Sequence, residues 1–495
     1  YQSLDANTTG TSLVAIGVTA LGATVTGNYN VAVGHQAGMT QNGASGSTLI
    51  GHAAGAYITS GANNTCIGFA AGDALNSGHE NVCIGPNAGG TATTAGYCIF
   101  IGNGAGNGGA ITGDHNIIMG HTAGDALTSG ANNVIIGQSA GTTATTAAQN
   151  IFIGSEAGYY ATTGTGSNVA IGHGAGKAIT TGTFNTLVGA YAGDATTTVP
   201  NVNAFGYAAL GANSTGQSLC AFGSYALDAN TTANDNAAFG HGAMGANTTG
   251  TGNNAFGSSS LDANTTGSSN TAVGHAALGA NTTASNNTAV GYAAGILITT
   301  GAGNSLFGRN AGDSITTSPN NTCLGFNAGI AIVDGSGGNV CIGNSAGDAL
   351  TTGTNNIIIG DTADAAAVDS AQSVTLGNGT ISALRCQVQS ISALSDRRDK
   401  KEIKDLDIGL DFINTLHPVK FTWNMRDGAK VGIKEAGFIA QELDESQNKF
   451  DAEEYLQLVL KNNPEKLEAA MGKLMPSVVK AVQELSAEIE ELKKW

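Results

Sequence analysis

The sequence predicts a mostly β protein. It reads as a β-solenoid, or β-roll, of 22 coils of about 17 residues, assembled as a parallel homotrimer. A small α+β domain follows and ends in a coiled-coil helix. Three observations carry this reading. One short pattern recurs 22 times between Tyr1 and residue 380. Gly supplies 74 of the 495 residues while charged residues make up 11 %, under half of what an ordinary soluble domain carries. Near Ser395 the composition breaks: residues 1–394 hold three basic and sixteen acidic residues, and 395–494 hold sixteen and twenty.

The repeat is anchored on a Gly that follows a short apolar run, the first copy at Gly17 and the last at Gly377. Eighteen of the 21 intervals are 17 residues and three are 18. Such a fixed period is the signature of a solenoid. The residue before the Gly is large and apolar, as in Ile16, Val33, Phe205 and Leu324. Two before, it is apolar and often small, as in Ala15, Cys66 and Ala289. Neighbours in a strand point to opposite faces, so this run is a strand buried on both. We expect the residue one before the Gly to point inward and stack in a column. The other face must then meet something outside the coil.

Four before the Gly, 16 of 22 copies carry Asn, which stacked coils would align into a side-chain amide ladder. Three after it, 20 of 22 carry Ala, where a larger side chain would not fit. A polar corner such as Ala-Asn-Thr-Thr-Gly closes the unit. At roughly 4.8 Å per stacked strand the rod is about 105 Å long. A coil this thin has little interior, so lateral association of identical chains is the economical way to cover its second apolar face.

Several functions are excluded or disfavoured. With Lys177, Arg309 and Arg385 as its only cations, residues 1–394 cannot neutralise a nucleic-acid backbone. No run of about 18 apolar residues crosses a membrane. His35, His52, His121, His173, His241 and His275 follow anchor glycines and read as surface turn residues, recurring too irregularly for a ladder. Asp73, Asp125, Asp313 and Asp348 sit at a corner without the calcium-binding nonapeptide pattern. No metal or cofactor is expected, and no paired carboxylates mark a glycan-cleaving site. Cys66, Cys83, Cys98, Cys220, Cys323, Cys341 and Cys386 read as buried thiols used as small hydrophobes. Asn7, Asn213, Asn230, Asn247, Asn264 and Asn281 begin Asn-Thr/Ser-Thr sequons at one corner. They are candidate glycosylation sites, but Asn-Thr-Thr-Gly is also good turn chemistry, the reading preferred here.

The segment "YQSLDANTTG" (Tyr1 to Gly10) is in phase with "SSSLDANTTG" (Ser258–Gly267), so the chain begins inside a coil without a polar cap. We expect further chain upstream. The domains are a shaft over 1–380, a connector over 381–394 and a C-terminal domain over 395–495, with its last helix at 474–494. In that helix Val478, Val482, Leu485, Ile489 and Leu492 step 4, 3, 4, 3, a short heptad seam. Val and Ile alternating with Leu would alone favour a dimer, so the trimer rests on the thin coils and on the family resemblance below.

Two resemblances follow from these motifs. "VAIGVTAL" (Val14–Leu21) and "VAIGHGAG" (Val169–Gly176) resemble the head repeats of trimeric autotransporter adhesins, whose unit length differs. "SDRRDKKEIKDLDIGLDFINTLHPVKFTWN" (Ser395–Asn424), then "GFIAQELDE" (Gly437–Glu445) and the terminal helix, resemble the intramolecular chaperone domain of phage endosialidases and tail spikes, the peptidase S74 family. That resemblance implies a domain that assembles three chains, helps fold the fibre ahead of it and cuts itself off. It implies Ser395 as nucleophile, Lys400 as its dyad partner and Asp396 as part of the motif. A lysine takes a proton from serine only where burial or a neighbouring cation lowers its pKa. Arg397, Arg398 and Lys401 are the candidate cations. Two positions depart from the family pattern: Asp399 stands where relatives usually have an apolar residue, and Glu435 where they often have His.

The function expected is a structural trimeric fibre, a viral tail fibre or spike for host attachment through a surface receptor or glycan. A bacterial adhesin or extracellular matrix fibre is the alternative, and a glycan-cleaving tail spike is disfavoured.

Overall fold

The computed structural model describes all residues except 1, 25, 163–165, 336, 382–383, 385–394, 426–430 and 462–466. Cys386 and most of the expected connector lie outside the described residues. The repeat forms a parallel β-solenoid of about 21 turns, one short strand per coil. By packing, the chain divides into two compact units, 1–320 and 321–495.

The first unit runs from the strand Val14–Ile16 to the strand Ser305–Phe307. Successive strands pair parallel and in register, as in Val14↔Val31, Ala15↔Ala32 and Ile16↔Val33. Each repeat position therefore becomes a column. The interior column is formed by the middle residue of each three-residue strand, two before the anchor Gly. Ala32, Leu49, Cys66, Phe100, Ile118 and Phe152 are all fully buried there. The residue one before the Gly stacks as expected but points outward: Ile16 is 61 % exposed and Phe256 41 %. This corrects the inward assignment. A three-residue strand has room for only one inward side chain, and the alternation gives it to the middle residue.

The anchor Gly is dictated by backbone geometry. At Gly223 φ is +140°, and a Cβ would press into the carbonyl oxygen of Gly240 in the next coil. The Asn four before the anchor forms the expected ladder. Asn253 Nδ2 donates to the Gly267 carbonyl (2.8 Å), while its Oδ1 accepts from the backbone N–H (2.9 Å) and Nδ2 (3.2 Å) of Asn270. The Ala three after the anchor is fully buried in coil after coil, for example Ala37, Ala71, Ala140 and Ala243.

The rest of the interior is filled in two ways. In 14 of the 22 coils the fourth residue after the anchor is Gly, and in eight of these the seventh is Ile or Leu, as in Gly55 with Ile58 and Gly295 with Ile298. A Cβ at Gly295 would come within 2.9 Å of Ile298 Cδ1, so the Gly makes room for the Ile. In five consecutive coils the large residue moves to the fourth position and Asn takes the seventh: Leu210/Asn213, Leu227/Asn230, Met244/Asn247, Leu261/Asn264 and Leu278/Asn281. All ten are fully buried. The coil keeps its apolar volume either way.

In the second unit the strands Thr322–Leu324, Val340–Ile342, Ile357–Ile359 and Val374–Leu376 pair parallel in the same manner. The C-terminal block is small and mixed. An antiparallel hairpin pairs Val419–Asn424 with Val431–Gly437. Helices follow at Ala440–Lys449, Glu453–Leu456 and Met475–Leu492. Ile408, Phe412, Ala452, Leu456, Leu458 and Leu474 form its core, with Phe412 and Phe450 edge to face at 5.5 Å. Pro476 in the first turn of the last helix suits a position whose N–H has no intrahelical partner. Glu484 of that helix accepts from the Leu410 N–H at 2.6 Å and fixes it against the short helix Leu410–Ile413.

Candidate functional site

The motif that opens the C-terminal block folds into one short turn. Asp396 caps the 3₁₀ helix Arg397–Asp399, its Oδ1 accepting from the Arg398 N–H at 2.8 Å. The Arg398 guanidinium returns to the same carboxylate at 2.6 Å. Those bonds, the side-chain contact first, hold the Asp396 carboxyl below its ordinary pKa. The turn ends at Lys400, whose Nζ donates to Ser395 Oγ at 2.5 Å. The local fold thus joins Ser395 and Lys400 and places Asp396 where it shapes the turn rather than touches the hydroxyl. Both dyad residues are exposed in the single chain.

Two further contacts tie the separated motifs together. His417 of "LHPV" meets Glu442 of "GFIAQE", Nδ1 to Oε2, at 3.1 Å. Trp423 of the first hairpin strand donates its indole N–H to Glu435 of the second at 2.5 Å. Glu435, one of the departures from the family pattern, is therefore engaged within the hairpin. Sequence reading missed His417. The signal available was its place beside the Pro of a motif that must pack on the helix Ala440–Lys449.

The last helix presents its heptad seam to solvent: Val478, Val482, Leu485, Ile489 and Leu492 are each 41–73 % exposed. The shaft presents a second apolar stripe, the outward residue of each strand. Within it Phe205, Phe222, Phe239 and Phe256 stack face to face at 4.5, 4.9 and 4.5 Å.

Two expectations need correction. Asn213, Asn230, Asn247, Asn264 and Asn281 are not an accessible row. They lie inside the coil, and the last four each donate to their predecessor, as in Asn230 Nδ2 to Asn213 Oδ1 at 3.0 Å and Asn264 Nδ2 to Asn247 Oδ1 at 2.7 Å. The nitrogen a glycan would occupy is buried and bonded. Asn7 alone of the six is exposed, with its side chain folded onto Gly10. The histidines do join ladders, because Tyr and Phe share their column. His35 stacks on His52 at 5.0 Å and His52 on Phe69 at 5.1 Å.

No curated protein and no solved structure matches the chain. A family model does: residues 395–452 match peptidase S74, described as chaperone of endosialidase. Its span begins at Ser395 and takes in the turn that joins Ser395 to Lys400, the hairpin and the helix Ala440–Lys449, so over residues 395–452 the chain matches a peptidase S74 chaperone domain.

Proposed function

We propose that the chain is the shaft of a trimeric attachment fibre, most simply a viral tail fibre or spike, whose C-terminal domain aligns three copies and then cuts itself off at Ser395. The observation that carries this is the pairing of a chaperone domain with a solenoid whose outward residues form an apolar stripe. A stripe repeating once per coil is matched along its length only by another solenoid of the same pitch. The exposed seam of the helix Met475–Leu492 offers a second surface for the same partners. A domain of about 100 residues with so small a core also gains most from association. The fibre attaches to a host-surface receptor or glycan.

In the cleavage step Lys400 takes the proton of Ser395 Oγ as that oxygen attacks a neighbouring peptide carbonyl. The amide C–N bond breaks, and one water is consumed to leave a new carboxylate and a new amine. Assembly supplies the burial that an exposed dyad lacks, which makes cutting follow trimer formation.

The test is refolding followed by sedimentation and a denaturing gel. Wild type is expected as a trimer that is cut slowly at Ser395. Ser395→Ala gives an uncut trimer, and Lys400→Met slows cutting by about 10²–10⁴-fold. Monomers at micromolar concentration would refute the assembly. Fully formed trimers that stay uncut for days would make the domain a retained cap.

A further inference from the structure

Across five consecutive coils, His173, Tyr191, Tyr207, Tyr225 and His241 form a continuous row of exposed rings. Neighbouring centroids lie 5.1, 6.0, 5.3 and 6.0 Å apart, and neighbouring planes meet at 84°, 88°, 73° and 79°. The alternation is written in the sequence. His173, Tyr207 and His241 stand first after their anchor glycines, whereas Tyr191 and Tyr225 stand second. The other turn position is always small: Gly174, Ala190, Ala208, Ser224 and Gly242. At Gly174 the smallness is required, because the Tyr191 ring fills the space and a Cβ there would lie 3.1 Å from it.

The same coils show what a purely structural ladder looks like. Phe205, Phe222 and Phe239 hold one repeat position and stack within 11° of parallel, so each ring covers the next. In the tyrosine row neighbouring planes are nearly perpendicular, so no ring lies flat on the next as the phenylalanines do; in each edge-to-face pair the ring that contributes its edge keeps its own faces free. Uncovered aromatic faces carry partial negative charge and attract polarised C–H groups. Phenol hydroxyls beside them exchange hydrogen bonds with a ligand's hydroxyls. The row has no cation. Lys177, the only basic residue between 173 and 241, is paired with Glu156 at 2.6 Å. That removes the means of binding an anionic chain.

We propose that this row binds an uncharged linear polysaccharide laid along the shaft, with pyranose C–H faces against Tyr191, Tyr207 and Tyr225. The proposal rests on the attachment reading above and names its ligand class.

The experiment is native affinity electrophoresis of the full chain in gels containing dextran, amylose, mannan or laminarin. Alginate serves as the charged polymer and poly-L-proline as the peptide one. Wild type is expected to be retarded by at least one uncharged polysaccharide and by neither alginate nor poly-L-proline. Tyr207→Ala weakens that retardation about tenfold, the loss of one stacking contact, while Tyr207→Phe stays within about threefold. Tyr292→Ala, which removes a ring already stacked on His275, leaves it unchanged. Circular dichroism confirms that each variant is folded. Retardation by no uncharged polymer, by alginate or poly-L-proline alone, or undiminished in Tyr207→Ala overturns the proposal. Cell adsorption separates this failure from that of attachment. Cells that bind wild type and a Tyr191/Tyr207/Tyr225 triple alanine variant equally refute the row and leave attachment standing, while binding of wild type to no cell refutes attachment.

Discussion

The exchange between the fourth and seventh positions of the coil can be tested by moving its boundary. Leu278/Asn281 is the last coil of the Leu/Asn kind, and the next coil holds Gly295/Ile298. Leu278→Gly alone empties a fully buried site. Such truncations cost about 2–5 kcal/mol, reduced by about 1 kcal/mol because Leu278 sits at φ +52°, a strained conformation that Gly relieves. Asn281→Ile alone crowds Leu278, at about 1–3 kcal/mol. It also removes the bonds from Asn281 Nδ2 to Asn264 Oδ1 (2.7 Å) and to the Ala284 carbonyl (3.1 Å), each worth about 1 kcal/mol. The double variant recreates the neighbouring coil. Asn281 Oδ1 is already buried without a partner, so the swap only transfers the ladder's open end to Asn264. We expect the two single changes to destabilise the coil by about 3 kcal/mol each and the double change by about 1 kcal/mol. Hydrogen exchange over residues 274–298 reads this locally, which matters because a repeat array need not unfold in one step. Each single variant should exchange about a hundredfold faster there, and the double within about tenfold of wild type. A double variant as fast as the product of the singles would show that the two positions do not share one space.

Three further outcomes follow from the same columns. Burial raises the pKa of Asp73, Asp194, Asp228 and Asp313, so each binds its proton more tightly folded than unfolded. Their ionised forms weaken the shaft at neutral pH, and that penalty fades as pH falls through the folded values toward about 3.9. Melting temperature should therefore rise from pH 7.5 to 4.5, and rise less when all four are Asn; equal slopes would remove these carboxylates from the account. Cys66, Cys83, Cys98, Cys323 and Cys341 are fully buried, and burial pushes the Cys98 thiol up to about 11. In a Cys386→Ser background, at most the half-buried Cys220 should react with a thiol reagent before denaturation and six thiols after it; rapid native reaction of the others would contradict the packing. Finally, a chain ending at residue 394 should keep its β circular dichroism, because the ladder bonds are internal to each chain, yet sediment as mixed assemblies. A uniform trimer would show that the C-terminal domain does not set alignment.

The period, the Asn ladder, the buried Ala and the short polar corner were legible because each is forced by a neighbour one coil away, and identical neighbours write identical constraints. The direction of the strand was not. Ile16 and Ala15 are both apolar, and size does not tell them apart: in the strand Ile99–Ile101 it is the larger Phe100 that turns inward. Burial of the Asn-Thr-Thr corner was not legible for a related reason: a sequon is polar in composition, but from Asn213 to Asn281 each amide nitrogen finds an acceptor inside the coil, so the amides can be buried. The spacing of Ser395 and Lys400 was readable from resemblance, whereas sequence did not decide between a capping and a catalytic part for Asp396, because a side chain that shapes a turn and one that meets the substrate look alike in sequence. Tertiary pairs such as His417 with Glu442 leave no local pattern at all.

The three 18-residue coils sharpen the case for an aligning domain. Their extra residues leave the strands in unbroken register: Ile99 pairs with Ile117, Ile151 with Val169 and Thr322 with Val340. The extra residue of each lies outside the paired strands, so the outward stripe carries no mark of where they fall. Along that stripe Ile, Val and Leu alternate without order, and the only departures are Met119, the block from Phe205 to Phe256, and Phe307. In the proposed trimer, copies displaced by one coil would still set apolar residues against apolar residues nearly everywhere. They would mismatch chiefly at Met119, at Phe307 and at the two ends of the phenylalanine block. A strand interface specifies register only through such differences. Regularity that makes each coil cheap to encode thus leaves the alignment of whole chains almost unencoded. A unique contact at one end removes the degeneracy, because once the terminal coils are fixed every other coil has a single partner. In the proposed trimer the exposed seam from Val478 to Leu492 would supply such a contact, and because it would have no further part in holding aligned shafts, a domain that sets register could then be discarded.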